Sequence, residues 1–193
     1  VIEEIPLTQL LSVIVPVHNE SAVLGTFHAR MRSVMEETGH PFEIIYVDDG
    51  SSDDTLAQLE RLRADDAAVA VLELSRNFGK EVALSAGLDH AGGEAVILID
   101  ADLQDPPELV HSFLQEWKNG YDVVYGKRID RRGDSRFKIL SARYFYRILN
   151  YLSDVEIPED VGDFRLLSRR AVEALVSLPE RHRYMKGLYA WIG

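Results

Sequence analysis

The 193-residue sequence contains no cysteine and no apolar run near the roughly 20 residues that span a bilayer. The first absence excludes disulfides and thiolate metal sites and favours a reducing compartment. The N-terminus also lacks the basic segment and apolar core of a signal peptide, so we expect a chain that is soluble or peripheral to a membrane. Because the chain begins without methionine and ends in an apolar stretch, we expect a fragment of a longer protein.

Positive charge is scarce in the first two thirds of the chain. Residues 1–126 hold 7 lysines and arginines against 23 acidic residues, whereas residues 127–193 hold 14 against 9. Hydrophobic residues make up 46% of the chain, which is enough for one domain with a substantial core. The acidic body and basic C-terminal third indicate that one face meets an anionic partner: a phosphate, a lipid headgroup or a nucleic acid.

Apolar runs alternate with helical periodicity over residues 12–126. Five short apolar stretches predict strands at 12–17, 42–47, 69–74, 95–99 and 121–126. Apolar residues at helical spacing predict four helices between them, the first capped by Asn19 and stopped by Gly39. This alternation predicts a doubly wound α/β fold, with a mostly parallel sheet and helices on both faces.

A basic segment and an amphipathic helix are predicted after Gly126. The segment covers residues 127–138, and residues 137–152 carry one apolar stripe with basic residues elsewhere. Such a stripe fits a helix that packs on the core, or a helix that lies on an anionic membrane surface, where basic residues beside aromatic ones are suited. The pattern of this helix alone leaves both alternatives open.

Polar clusters follow three of the predicted strands. They are His18-Asn19-Glu20, Asp48 to Ser52, and Asp100 to Asp105. Ligands of open α/β sheets bind beyond the carboxyl ends of the strands, so we expect the three clusters to converge on one edge. Helix capping would explain any one cluster, but capping needs a single such residue rather than several.

The third cluster has the spacing of a divalent cation site. Asp100 and Asp102 are two residues apart, and Gln104 adds an amide oxygen two residues further on. Such oxygen ligands suit Mg²⁺ or Mn²⁺ with positions left open for a diphosphate. An isolated D-x-D in an acidic chain is weak evidence, but its place directly after a buried strand strengthens the prediction.

Five motifs in a fixed order make the sequence similar to a known family. They are SVIVPVHNE, IIYVDDGSSDDT, LSRNFGKEVALSAGLDHA, ILIDADLQDPPE and GDFRLLSR. The chain resembles the inverting GT-A glycosyltransferases of family 2, and within them the polyprenyl-phosphate sugar transferases such as dolichol-phosphate mannose synthase and the bacterial undecaprenyl-phosphate glucosyltransferases. The resemblance implies one GT-A domain over 1–193, with a nucleotide-sugar-binding half at 12–126 and an acceptor- and membrane-facing half at 127–193.

The resemblance also implies a set of donor-side residues. The nucleoside would be held by Pro16, His18, Glu20, Val47 and Asp49, and the rest of the nucleotide sugar by Lys80, Asp100, Ala101, Asp102 and Arg128. The metal, Mg²⁺ or Mn²⁺, would be ligated by Asp102 and Gln104. Family members often carry tyrosine where this chain has His18, which keeps a ring for stacking. For Pro16 and Val47, packing within strands is the alternative.

Basic residues are the candidates for the acceptor side. The resemblance implies that the acceptor phosphate is bound by Arg128, Arg132, Arg165 and Lys186, with Arg131, Arg136, Arg181 and Arg183 as further candidates. Asp163 would act as a base or a positioning group and Arg165 as a phosphate clamp, which with Asp102 completes the catalytic set. A buried structural pair of Asp163 and Arg165 is the alternative. Arg76 and Lys80 would approach phosphates or the acidic edge, or form surface ion pairs.

The implied activity is the inverting, metal-dependent transfer of a hexose, favoured as a UDP-hexose, to undecaprenyl phosphate or another polyprenyl phosphate at the cytoplasmic face of the membrane. GDP-mannose with dolichyl phosphate is the second alternative, and a non-catalytic module that binds nucleotide sugars is the alternative of another class. The implied partners are the donor, the lipid and the membrane surface, without nucleic acid, and a homo-oligomer stays open.

Missing motifs argue against two related activities. A processive polysaccharide synthase would carry a Q-x-x-R-W segment, and the sequence has none. A sugar-nucleotide pyrophosphorylase would need a glycine-rich, basic loop after the first strand, where this chain has PVHNE. Many family members continue into membrane-spanning helices, which this sequence does not contain.

Overall fold

The computed structural model describes residues 9–127, 161–178, 180 and 184–192. These residues form six strands: β1 (Leu11–Val17), β2 (Phe42–Asp48), β3 (Val69–Glu73), β4 (Ala95–Leu98), β5 (Val123–Lys127) and β6 (Val161–Ser168). They also form six helices: α1 (Leu24–Glu37), α2 (Thr55–Asp65), α3 (Lys80–His90), α4 (Leu109–Lys118), α5 (Arg169–Ser177) and α6 (Met185–Ile192). None of these helices combines the length and apolar character needed to cross a bilayer.

The strands form one sheet with the order β3-β2-β1-β4-β6-β5. β1 is parallel to β2 and β4, and β2 is parallel to β3. β6 is antiparallel to both β4 and β5. The predicted mostly parallel, doubly wound sheet is confirmed, and the strand order reverses between β1 and β4, where such folds bind their ligands.

Strand β6 was not predicted, although its motif was singled out. Asp163 and Arg165 interrupt the apolar run of β6, so the stretch does not have the continuous apolar pattern of the other central strands. The structure nevertheless buries Phe164, Leu166 and Leu167. β6 therefore carries polar motif residues into the middle of the sheet.

Apolar side chains cover both faces of the sheet. On one face, Val13 and Val15 of β1 belong to a core cluster with residues of α1 and α4. On the other face, Ile14 belongs to a second cluster with residues of α3, α5 and α6. Because strands such as β1 and β4 are buried on both sides, their successive residues are apolar, and such runs located β1 to β5 to within two residues of their observed ends.

The predicted cap of the first helix is wrong. Helix α1 begins at Leu24, and its N-cap residue, Val23, makes no side-chain capping bond. Asn19 instead adopts a left-handed conformation, with φ of 57°. Its Oδ1 accepts hydrogen bonds from the backbone N–H groups of Ser52 at 2.7 Å and Asp53 at 3.3 Å. Asn19 thus joins the loop after β1 to the loop after β2, while Gly39 follows the end of α1 with φ of 72°, as predicted.

A buried histidine gives the fold a defined response to acid. The His28 Nδ1 and Tyr46 hydroxyl share a hydrogen bond of 3.0 Å, and His28 Nε2 lies 3.6 Å from Asp66. Burial lowers the pKa of His28 below its ordinary value of 6.5, against the opposing pull of Asp66, which is itself bonded to Arg32. The unfolded chain therefore takes up this proton at a higher pH than the folded chain does.

We expect the free energy of unfolding to fall as the pH drops below about 6.5, with a contribution from His28 of at most about 1.4 kcal/mol per pH unit. Urea denaturation at a series of pH values measures this slope. His28→Gln keeps an acceptor for the Tyr46 hydroxyl and should flatten the slope near pH 6. The exposed His90 supplies the control His90→Gln, which should retain the original slope. An undiminished slope in His28→Gln would contradict the assignment.

Candidate functional site

A cavity of about 300 Å³ lies at the carboxyl ends of β1, β2 and β4, beside the first turn of α3. It is lined by Pro16, Val17, His18, Glu20, Asp49, Asn77, Gly79, Lys80, Ala83, Asp100, Ala101 and Asp102. The predicted convergence of the three polar clusters on one edge is confirmed, because each cluster contributes lining residues. The cavity also lies where the strand order reverses.

The loops after β1 and β2 are bound to each other. The backbone N–H of Asn19 donates to Ser51 Oγ at 2.9 Å, and His18 Nδ1 lies 2.9 Å from the Asp49 carbonyl oxygen. Buried Asp48 accepts a hydrogen bond from the Ser51 backbone N–H at 3.1 Å. The serines and the first aspartate of DDGSS therefore shape the loop, while the second aspartate lines the cavity.

Asp49 holds the loop between β3 and α3 against the cavity. Its carboxylate accepts the backbone N–H of Phe78 at 2.7 Å and that of Gly79 at 2.8 Å, and the residue is only 4% exposed. The neighbouring Gly50 has φ of 66°, and a Cβ added there would come within 2.4 Å of the Arg76 carbonyl carbon. A glycine is required at this position both by the backbone conformation and by the close approach of the second loop.

Lys80 joins two carboxylates from different parts of the chain. Its Nζ donates to Asp100 Oδ2 at 2.6 Å and to Asp163 Oδ2 at 2.6 Å. Lys186 of α6 adds a second ammonium group 3.7 Å from Asp163 Oδ1. We call Lys80, Asp100 and Asp163 the lysine bridge. Of the alternatives raised by the sequence for Lys80, the structure brings it to the acidic edge of the cavity.

The charges of the lysine bridge act on the ionisation of its members. Burial opposes the ionisation of Asp163, but Lys80, Lys186 and Arg165 outweigh it and hold the pKa of Asp163 below its ordinary value. For Asp100 burial prevails, and its pKa is raised although Lys80 pulls it down. The pKa of Lys80 is raised, because its two hydrogen-bonded carboxylates outweigh the effect of burial. Asp163 therefore stays a carboxylate at neutral pH.

The D-x-D-x-Q segment turns sharply after Asp102. Leu103 adopts φ of 58°, an uncommon value for a leucine, and the Gln104 backbone N–H donates to Asp102 Oδ1 at 2.9 Å. The side chains of Asp102 and Gln104 are exposed. Glu20, which shares the cavity, has a raised pKa because of burial and the nearby charges of Asp102 and Asp100. The site is thus a concentration of negative potential that favours a cation.

The protein oxygens at this site fit a cation that takes most of its ligands from water and substrate phosphates. Within the described part of the chain, no three His, Cys, Asp or Glu side chains are grouped closely enough to hold a metal ion. Asp102 and Gln104 offer one carboxylate and one amide oxygen, and Mg²⁺ commonly uses one or two protein oxygens together with waters and substrate phosphates. The residues present therefore fit a divalent cation that arrives with a diphosphate.

Two of the predicted site residues are buried and do not line the cavity. Val47 is fully buried and pairs with Pro16 in the register of β1 and β2, which matches the strand-packing alternative. Arg165 is 3% exposed, stacks over the Tyr189 ring at 3.7 Å and donates to the Gly162 carbonyl oxygen at 2.9 Å. Burial lowers the pKa of this guanidinium. It bonds the Asp163 carbonyl oxygen, not its carboxylate, so the alternative of an Asp163–Arg165 side-chain pair does not describe this contact.

Other predicted residues lie outside the described part of the chain. They are Arg128, Arg131, Arg132, Arg136, Arg181 and Arg183, together with the predicted helix over 137–152. Arg76, by contrast, is described, and its guanidinium lies 4.5 Å from the centre of the exposed Phe78 ring. Asn77 also lines the cavity and was not predicted from the sequence. Its position inside the RNFGKE motif was the available signal.

Comparison with known sequences agrees with the resemblance that the five motifs indicate. The pattern described as Glycosyl transferase family 2 matches residues 12–176. An uncharacterized glycosyltransferase of Synechocystis, sll0501, is 48% identical over 183 residues, covering 95% of this chain and 58% of that protein. A bactoprenol glucosyl transferase of Shigella phage SfV is 45% identical over 183 residues, covering 95% of this chain and 60% of that protein. The chain thus spans less than two thirds of the length of these relatives.

Solved structures share the fold. The mannosyltransferase PcManGT from Pyrobaculum calidifontis, in complex with GDP-Man and Mn²⁺, has a TM-score of 0.60 and 24% identity, covering 87% of this chain and 47% of that chain. Glucosyl-3-phosphoglycerate synthase from Mycobacterium tuberculosis, in complex with Mn²⁺, UDP and phosphoglyceric acid, has a TM-score of 0.63 and 24% identity, covering 95% of this chain and 62% of that chain. At these identities the likeness concerns the fold, and the predicted fold class is confirmed.

Proposed function

The chain belongs to glycosyl transferase family 2, and from this we propose that it transfers a hexose from a nucleotide-diphosphate sugar to a polyprenyl phosphate at the cytoplasmic face of a membrane. One observation carries the proposal: three strand ends bring Glu20, Asp49, Asp100 and Asp102 into one cavity beside Lys80. The relative named as a bactoprenol glucosyl transferase supports the lipid acceptor.

The donor side of the cavity follows from its lining. Pro16, His18, Glu20 and Asp49 contact the nucleoside, and Val47 lies beside Pro16 in the neighbouring strand. Asp100 and Ala101 lie towards the ribose. We favour a UDP-hexose because the relative is named as a glucosyl transferase, whereas the structural neighbour solved with GDP-Man keeps GDP-mannose as the second candidate.

A divalent cation, Mg²⁺ or Mn²⁺, belongs to this proposal. When bound, it supplies Lewis-acid stabilisation of the charge that develops on the departing diphosphate. Asp102 and Gln104 are the residues that would hold it, and the negative potential around Glu20 favours its entry. Asp100 is already engaged by Lys80. The two structural neighbours were both solved with Mn²⁺.

The reaction requires little proton transfer from the protein. An oxygen of the acceptor phosphate forms a bond to the anomeric carbon, while the bond from that carbon to the donor's β-phosphate oxygen breaks and the nucleoside diphosphate leaves with the electron pair. A phosphate monoester has a second pKa of about 6 and is anionic at neutral pH. Asp163, a carboxylate whose pKa is lowered by its lysine neighbours, therefore orients these groups rather than deprotonating the acceptor.

The acceptor side is assigned to the elements around β6. Asp163 places the ammonium groups of Lys80 and Lys186 together, and the three N–H donors of an ammonium group would let Lys186 meet an acceptor phosphate as well as Asp163. Arg165 supports this region from behind through its contacts with Gly162 and Tyr189. Arg128 and Arg132 stay candidates for phosphate contact, and the predicted helix over 137–152 stays the candidate for contact with the membrane surface.

Two measurements on the same preparation test the proposal. Calorimetric titration with UDP and with GDP, each with and without Mn²⁺, is expected to show one preferred nucleotide whose binding tightens at least about tenfold with metal, or about 1.4 kcal/mol. Incubation with labelled UDP-glucose or GDP-mannose and undecaprenyl phosphate in vesicles should then yield a labelled lipid. Binding without transfer would favour the non-catalytic module, and neither binding nor transfer would refute the proposal.

A further inference from the structure

We infer that Lys80 is a positioning residue that joins the donor side of the cavity to its acceptor side, by holding Asp100 and Asp163 together in the lysine bridge. The inference rests on the proposed function, because it assigns to Lys80 a task within that reaction. It departs from the expectation that Lys80 mainly binds donor phosphates. Three sets of contacts among the described residues support it.

The hydrogen bonds of the Lys80 ammonium group are the first of these contacts. A lysine ammonium has three N–H donors. Two are directed to carboxylate oxygens at 2.6 Å, one on Asp100 and one on Asp163. Both distances are at the short end for charge-assisted hydrogen bonds. At most one donor is left for a substrate phosphate, so holding the two carboxylates is the main task that the geometry gives to Lys80.

Asp49 fixes the backbone that carries Lys80. Lys80 is the first residue of α3, and Asp49 binds the backbone N–H groups of Phe78 and Gly79 just before it. The start of α3 is therefore attached to the residue proposed to contact the nucleoside base. A displacement of Asp49 would move the base of the Lys80 side chain.

The residue that follows Lys80 attaches α3 to the start of α6. Glu81 accepts a hydrogen bond from the backbone N–H of Met185 at 3.2 Å, at the start of α6. Met185 precedes Lys186, whose ammonium faces Asp163. Adjacent residues of α3 thus hold both the strand and the helix that form the acceptor side. The Lys80–Asp163 and Glu81–Met185 hydrogen bonds are separate contacts, and both attach α3 to the acceptor side.

Removing the ammonium would take away the cation that Asp100 and Asp163 share and leave Lys186 as the nearest described lysine to Asp163. The like charges of Asp100 and Asp163 would repel each other, and the carboxylate of Asp163 would no longer be fixed beside Lys186. We expect Lys80→Met to lower kcat for hexose transfer by about tenfold or more, because misplacement of a reacting group by about 1 Å is already costly. The dissociation constant of the nucleoside diphosphate should change by less than about threefold, since uniform binding is not what is lost.

A double-mutant cycle provides the decisive test. It compares Lys80→Met, Asp163→Asn and the double variant in the complete chain, with kcat, KM and nucleotide affinity measured for each. Because the two groups act as one unit, the double variant should be no slower than the slower single variant. Lys80→Arg should restore part of the lost kcat in the wild-type background and give no benefit when Asp163 is asparagine. Lys118→Met, at an exposed lysine on α4, controls for the loss of a lysine elsewhere.

The outcomes separate this inference from the function on which it rests. If the losses multiply in an active enzyme, or if Lys80→Met weakens nucleotide binding tenfold while kcat at saturating donor is unchanged, Lys80 is a phosphate ligand and the inference is overturned. If the wild-type chain neither binds a nucleotide nor transfers a hexose, the proposed function itself fails. Should Lys80→Met not fold, the cycle run with Lys80→Arg gives the same test, because it too must show non-additive losses with Asp163→Asn.

Discussion

Replacing Asp102 by asparagine is expected to slow hexose transfer about a thousandfold. Asparagine keeps an oxygen that can accept the Gln104 backbone N–H but loses the negative charge that a divalent cation requires. Lewis-acid stabilisation of a leaving group contributes several kcal/mol, and about 4 kcal/mol corresponds to three powers of ten in rate. Single-turnover rates at saturating donor, with Mn²⁺ present, measure the effect on chemistry directly.

The comparison variant is Asp163→Asn, which should be slowed less than Asp102→Asn. Asp163 orients groups, whereas the phosphate acceptor is already ionised and needs no strong base. Asp65→Asn, at an exposed position on α2, is the control for loss of a carboxylate and should react at the wild-type rate. If Asp163→Asn proved slower than Asp102→Asn, metal-assisted departure would not be the main contribution to the rate.

Gly50→Ala is expected to damage both stability and nucleotide binding. The substitution forces a side chain into a conformation with φ of 66° and places its Cβ within 2.7 Å of three backbone atoms of Arg76 and Asn77. Such strain and overpacking each cost about 1 to 3 kcal/mol, so the free energy of unfolding should fall by about 2 to 6 kcal/mol. Backbone cannot rotate away as a side chain can, so the loop between β3 and α3 must shift.

The shift should reach the cavity, because that loop carries Asn77, Gly79 and Lys80. We expect the affinity for the preferred nucleoside diphosphate to fall at least about tenfold. Gly39→Ala is a close control, since Gly39 has φ of 72° but nothing within 4 Å of an added Cβ. It should cost about 1 kcal/mol of stability and leave nucleotide affinity unchanged. Equal nucleotide affinities in the two variants would contradict the role assigned to the close approach.

Periodicity and the general properties of parallel sheets together predicted the part of the fold that precedes residue 127. Strands buried on both faces are apolar throughout, so β1 to β4 were visible as short apolar runs. The meeting of the three polar clusters followed from a general property of parallel strands, whose carboxyl ends share one edge. The sequence therefore predicted that Asp49, Asp100 and Asp102 meet at one edge of the sheet, where they line one cavity.

Tertiary contacts decided the features that the sequence could not reveal. Asn19 looks like a helix cap locally, but its amide oxygen is used by backbone groups 33 and 34 residues away. Arg165 is predicted to be a phosphate ligand, and the sequence did not reveal that it is 3% exposed and stacks on the ring of Tyr189. The sequence did not decide among the alternatives for Lys80, because a local pattern does not show that Asp163, 83 residues further along, lies beside it.

The position of β6 between β4 and β5 also constrains how the chain can fold and be divided. A product ending at residue 126 would leave β4 with an open edge and β5 without its neighbour in the sheet, since β5 pairs with β6 among the described strands. Of the described strands, β6 is the last in chain order, and it enters the interior of the sheet between β4 and β5 rather than adding to its border. Contacts of such long sequence separation slow folding, and the two halves should unfold in one cooperative transition instead of behaving as exchangeable modules.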